Sequence, residues 1–129
     1  MEEMASLMHE QRYEELDYSN LETFLIEMAQ RERREVKSRL TVLLTHLLKF
    51  DYQPEQRSRS WQVTILLQRR ELHELLESGA LRNYFPTIIE SAYANAVKQA
   101  ALETGLPETA LPVTCPYSPA QILDEETSP

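Results

Sequence analysis

Glu35, Arg39, Val42, His46 and Lys49 are spaced 4, 3, 4 and 3 along this chain. In a helix that spacing lines them up along one edge, beside the apolar stripe rather than opposite it. An arginine fork grips a carboxylate or phosphate in fixed geometry, and histidine titrates near neutrality. Such an edge could hold an anion and move a proton. Lys49 falls where the helix should end, and a cation interacts well with the dipole there. The turn that follows, DYQPEQRSRSW, brings Tyr52, Gln53, Arg57, Arg59 and Trp61 toward the same end. Residues 35–61 therefore read as a basic corner able to take an anion, a phosphate or the carboxylate of a partner.

The same residues also have quieter uses. Glu35 and Arg39 at i, i+4 make a helix ion pair worth about 0.3–0.5 kcal/mol. His46, between Leu43 and Leu47, could be a half-buried imidazole bonded to Gln68 or to a carbonyl. Trp61 could be a core anchor whose indole N–H is satisfied nearby. Other chemistry is poorly provided for. His9, His46, His73 and Cys115 are scattered without metal-ligand spacing, so no metal site is expected. Glycines only at 79 and 105 leave no Gly-rich phosphate loop, and no cofactor is expected. Cys115, in Thr-Cys-Pro-Tyr, has no base visible in the sequence and reads as a buried structural thiol.

The elements that must position these residues are helical. Leu, Glu, Ala and Arg dominate the composition and β-branched runs are scarce. A short amphipathic helix is predicted near residues 2–14, and Ser19-Asn20-Leu21-Glu22 reads as a capping box opening the next. Leu21, Phe24, Leu25, Met28 and Ala29 recur at helical spacing. So do Val36, Leu40, Leu43, Leu44, Leu47 and Leu48. The polar run Gln30 to Glu35 between them contains no Pro or Gly, so one continuous helix is expected, ending before Pro54. A helix from about Ser60 carries Trp61, Ile65, Leu72, Leu75 and Leu76, with Gln68 inside its apolar stripe and Gly79 placed to close it. Another starts at or just before Pro86 and stops at Gly105, its Ala92, Ala96 and Ala100 small enough for close helix approach. Five of the seven prolines lie in residues 106–129, which read as an extended strap with a short helical turn around Ala120 to Leu123.

At 129 residues the chain is read as one helical domain, residues 1–129, of all-α class: an irregular bundle of four or five helices with the Pro-rich strap at residues 106–129. The net charge of −8 is unevenly spread. Residues 31–70 hold ten bases against four acids, while the remainder holds three against seventeen. An acidic total argues against a general nucleic-acid binder, but the segregation permits a local anion site. One cysteine, an acidic N-terminus and the lack of a run near the ~20 apolar residues of a membrane span point to a cytoplasmic protein away from membranes.

Two resemblances sharpen the reading. Arg39 and His46, six residues apart on a helix, resemble the R-x4-6-H signature of HEPN-type helical ribonucleases. That resemblance implies metal-independent RNA cleavage, with His46 as acid–base and Arg39 on the phosphate. The second covers nearly the whole chain. LDYSNLETFLIEM, RERREVKSRLTVLLTHLLKFDYQPEQRSRSWQVTI, AALETGLP and TCPYSPAQILD resemble the bacterial family, common in cyanobacteria and proteobacteria, catalogued as domain of unknown function twenty-nine. It implies an all-helical domain from a bacterial source and supplies no activity. The residues shared with the family's pattern include Glu32, Arg33, Arg34, Glu35, Arg39, His46, Lys49, Gln53, Pro54, Arg57, Ser60, Trp61 and Cys115-Pro116-Tyr117. Ala29 stands where relatives usually carry glycine, and Phe50 where many carry tryptophan. The expectation is a non-catalytic binding or regulatory module that uses Glu35, Arg39, His46, Lys49, Gln53, Arg57 and Trp61. Its partner would be a protein or a second copy of the chain, with RNA or an anion as the alternative.

Overall fold

The structure is a computed structural model and describes residues 14–125. Five α-helices lie among them: α1 (Glu14–Tyr52), α2 (Arg59–Leu75), α3 (Gly79–Tyr84), α4 (Ile89–Thr104) and α5 (Pro119–Ile122). Short 3-10 turns at Pro54–Gln56, Phe85–Ile88 and Glu108–Ala110 join them, and no strand is present among the described residues. The all-α expectation is met. The helix foreseen near residues 2–14 lies outside the described residues apart from Glu14, where α1 already runs.

The chain forms two compact units, one ending at Glu32 and one starting at Arg33. In the first, α1 exposes Tyr18, Leu21, Phe24, Leu25, Ile26 and Met28. Ser19 is not a cap: it lies inside α1, and its carbonyl accepts from the Thr23 hydroxyl one turn on. The capping signature was present, but helix was already running through it. Its residues serve equally in a helix interior when the apolar repeat continues on both sides.

The second unit is built on the stripe foreseen in α1. Val36, Leu40, Leu43, Leu44 and Leu48 are wholly buried and Leu47 nearly so, because they recur every three or four residues on one face. Burying each leucine is worth about 1.5–3 kcal/mol. α2 contributes Ile65 and Leu72 to this core, with Leu76 just past its end. α4 contributes Ile89, Ala92, Tyr93, Ala96 and Ala100. The three alanines are 0–1% exposed, so their small side chains let neighbouring elements come close.

Each helix end has a local cause. Gln53, pushed out of the helical region to φ −132° and ψ 58° before Pro54, stops α1. The Ser58 hydroxyl accepts from the Trp61 amide and starts α2. Gly79 does not close α2. That helix ends at Leu75, and Gly79 opens α3 behind Ser78, whose hydroxyl accepts from the Leu81 amide. Gly105 does close α4, at φ 78°, where a side chain would be strained. Ser118 and Gln121 form a reciprocal capping box that starts α5 behind Pro119.

The segment after Gly105 is fastened down. Leu111, Ile122 and Leu123 are buried in the core. Tyr93 donates its hydroxyl to the Pro112 carbonyl at 2.6 Å. Arg69 donates from Nε to the Ile122 carbonyl at 2.9 Å and from Nη2 to that of Gln121 at 3.2 Å, and His73 Nε2 donates to that of Leu123 at 2.9 Å. The last two carbonyls of α5 and that of Leu123 just past it thus find donors on α2, which is what a helix of four residues needs.

Candidate functional site

The seven residues singled out by spacing fall into three neighbouring arrangements, and every cation among them meets a partner inside the chain. Arg39 reaches α2. Its Nε lies 3.4 Å from Glu35 Oε2, its Nη1 donates to Gln68 Oε1 at 3.4 Å, and its Nη2 stands 3.8 Å from Glu71 Oε2. Gln68, foreseen inside the apolar stripe of α2, is half-buried and takes Arg39 as its partner.

Lys49 makes the second arrangement. It is 7% exposed, and its ammonium donates to Glu103 Oε1 at 2.7 Å while lying 4.7 Å from the centre of the Trp61 ring. The Glu103 carboxylate also accepts from Gln99 Nε2. The hydrogen bond from Lys49 holds the Glu103 carboxyl below the ordinary value of 4.5, against the opposing effect of burial. Gln99 and the charges of Lys49 and His46 add to the lowering. One ammonium therefore ties α1, α2 and α4 together.

His46 sits beside this pair. Its Nδ1 donates to the Val42 carbonyl at 2.9 Å, so Nε2 is the ring nitrogen that this bond does not use. Arg57 makes the third arrangement. Its Nε donates to the Phe50 carbonyl at 2.7 Å and its guanidinium stacks 4.1 Å from the Phe50 ring centre, capping the last turn of α1. Gln53 is half-buried, and its amide bonds to the Lys49 carbonyl at 2.9 Å.

Glu103 and Glu71 were invisible as partners in the sequence, since neither shares a local pattern with the cation it meets. A second cluster was missed for the same reason. Tyr117 donates to Asp51 Oδ2 at 2.6 Å, and Cys115 lies two residues away with its thiol toward the Tyr117 carbonyl at 3.5 Å. Burial, with the Asp51 carboxylate, pushes the Tyr117 hydroxyl far up. Burial likewise raises the Cys115 thiol and takes the Tyr93 hydroxyl to about 12. Cys115 is half-buried, less enclosed than the buried thiol expected from the sequence, and its backbone amide donates to Glu90 Oε1 at 3.1 Å. Beside this cluster lies a groove of about 500 Å³, with Leu47, Phe50, Ile65 and Leu66 on its apolar side and Asp51 and Tyr117 at one edge. Among the described residues, no three His, Cys, Asp or Glu side chains are grouped as metal ligands would be, and no helix is long and apolar enough to cross a membrane.

The family model described as Domain of unknown function DUF29 matches residues 1–127. The chain belongs to the DUF29 family. No curated protein and no solved structure matches it. The residues quoted for the DUF29 resemblance are, in large part, those that form the three arrangements above. Arg39, Lys49 and Trp61 hold helices of this unit to one another, and Arg57 caps the end of α1.

The Glu103 shift has a consequence for acid stability. A carboxyl whose pKa is lowered on folding contributes stability above its unfolded value and loses it as pH falls through the folded one. The unfolding midpoint in urea should therefore fall as pH drops below the ordinary carboxyl value of 4.5, and Glu103→Gln should flatten that fall. Equal slopes for the two proteins would show that the ion pair contributes nothing in solution.

Proposed function

We propose that this chain is a non-catalytic binding or regulatory module in a bacterial cytoplasm. In this reading the residue 35–61 corner is the frame, and the face of α2 that begins there is the contact surface. One observation carries this. Arg59, Val63, Leu66 and Arg70, spaced 4, 3 and 4, form a single exposed stripe on α2, with Val63 and Leu66 46% and 56% exposed. Leu67, also exposed, widens it, and Leu66 borders the apolar groove beside it. An apolar centre with an arginine at each end suits an amphipathic helix that carries acids on its flanks. The corner's own cations support the framing role, because Arg39, Lys49 and Arg57 are engaged within the chain.

A photo-crosslinking residue placed at position 66 in the cell should give a discrete adduct whose mass spectrum identifies a protein partner. The same probe at Glu77, exposed beyond the end of α2, is the control. Equal adducts at both positions, or none at either, would sink the proposal.

The second reading is metal-independent RNA cleavage, favoured by the Nδ1 donation that leaves His46 Nε2 able to take a proton. It needs Arg39 to leave Gln68, Glu35 and Glu71 for a phosphate. Labelled structured RNA in EDTA, cut by the wild type and spared by His46→Ala, would establish it and displace the binding reading.

A further inference from the structure

From charge and exposed apolar surface we infer that the helix received by the α2 stripe is the first part of α1 from a second copy of this chain. The inference rests on the binding-module reading and names its partner. Residues 14–30 hold five acids and no base, whereas residues 56–70 hold four arginines and no acid. Among the described residues, each segment also exposes apolar side chains at helical spacing. On α1 these are Tyr18, Leu21 and Leu25, with Glu22 beside them, and Leu25 is 53% exposed. On α2 they are Val63, Leu66 and Leu67.

Like-to-like pairing fails on charge. Two copies of residues 14–30 would face acid with acid, and two α2 stripes would face arginine with arginine, each opposed by repulsion. Pairing the acidic segment with the basic stripe satisfies both. Every copy carries one acidic segment and one basic stripe, so a second copy can supply the complement that each lacks. Arginines at the ends of an apolar strip are also the composition of an interface rim around a desolvated centre.

Sedimentation of the full chain tests this, from about 1 to about 100 µM, the span of a transient interface. The wild type should dimerise, and more weakly as salt rises. Reversing one side with E15R/E22R, or the other with R59E/R70E, should weaken the dimer about tenfold or more. Each reversal is checked for unchanged helicity by circular dichroism. Arg59→Glu lies in the first turn of α2, where an acid is well tolerated. The variant carrying all four changes should recover the wild-type dimer, and so should an equal mixture of the two doubly changed proteins.

A monomer throughout that range would overturn the inference, as would a dimer indifferent to E15R/E22R or a four-fold variant that does not recover. A monomer that still gives an identified adduct at position 66 would separate the two ideas. The binding module would stand, with a partner other than itself.

Discussion

Replacing Glu103 with leucine should destabilise the unit that starts at Arg33 by about 3 kcal/mol, the low end of the loss when one partner of a buried ion pair is removed. The low end applies because Glu103 is itself 34% exposed and already shares its charge with water. The asymmetry of the pair drives the effect. Lys49 is almost fully enclosed, with its ammonium against Trp61, and without Glu103 it must stay charged in a poor environment or pull its stem out of the core. Lys49→Met should cost less, because a lone Glu103 can turn to solvent. Lys49→Met combined with Glu103→Leu should recover most of the loss, since an apolar pair of similar size needs no partner charge. Urea unfolding of the four proteins closes the cycle. If Glu103→Leu alone costs under about 1 kcal/mol, Lys49 is hydrated in solution and the pair is an ordinary surface bridge.

Leu44→Ala should be at least as damaging, at about 3–4 kcal/mol, within the range for emptying a fully buried leucine site. Leu44 is 0% exposed and faces side chains from other elements that cannot all collapse into the space. That is a large part of the ~5–15 kcal/mol by which a domain of this size is stable. The chemically identical change at Leu66, 56% exposed on α2, should cost about 0.5 kcal/mol or less. Leu66→Ala should instead weaken association. A Leu66→Ala protein with lowered stability and unchanged partner binding would mean that the α2 stripe belongs to the fold and not to an interface.

Much of this architecture could be read in the residue order, because its causes are local. Pro54 stops α1 through the residue before it, Gly105 stops α4 by taking a left-handed conformation, and the leucines from Val36 onward face one way by period alone. The continuity of α1 through Gln30 to Glu35 followed from the absence of any breaker. Where two local signals compete, pattern fails. Ser19 has the chemistry of a cap yet sits mid-helix, and Gly79 could as well open a helix behind Ser78 as close one.

The candidate site was half legible for a related reason. The edge from Glu35 to Lys49 exists because it is a property of one helix. Its meaning depends on Gln68, Glu71 and Glu103, which tertiary packing brings in from 29 to 54 residues away. Those partners engage Arg39 and Lys49 within the chain. They also shift attention to the α2 stripe, whose arginines and leucines look like ordinary surface until their exposure is known.

The ties that close the second unit join residues far apart in the chain. Lys49 and Glu103 are separated by 54 positions, Asp51 and Tyr117 by 66, and Arg69 and His73 stand 50 to 53 ahead of the carbonyls they hold. During translation at ~5–20 residues per second, the donors on α2 therefore wait ~3–10 s for their acceptors to emerge. Throughout that interval Ile65 and Leu72 have no Ile122 or Leu123 to pack with, so the nascent chain carries a completed leading helix and an open core. For a protein made almost wholly of helices, which fold fast when their contacts are local, assembly is thus paced by the ribosome and not by helix formation.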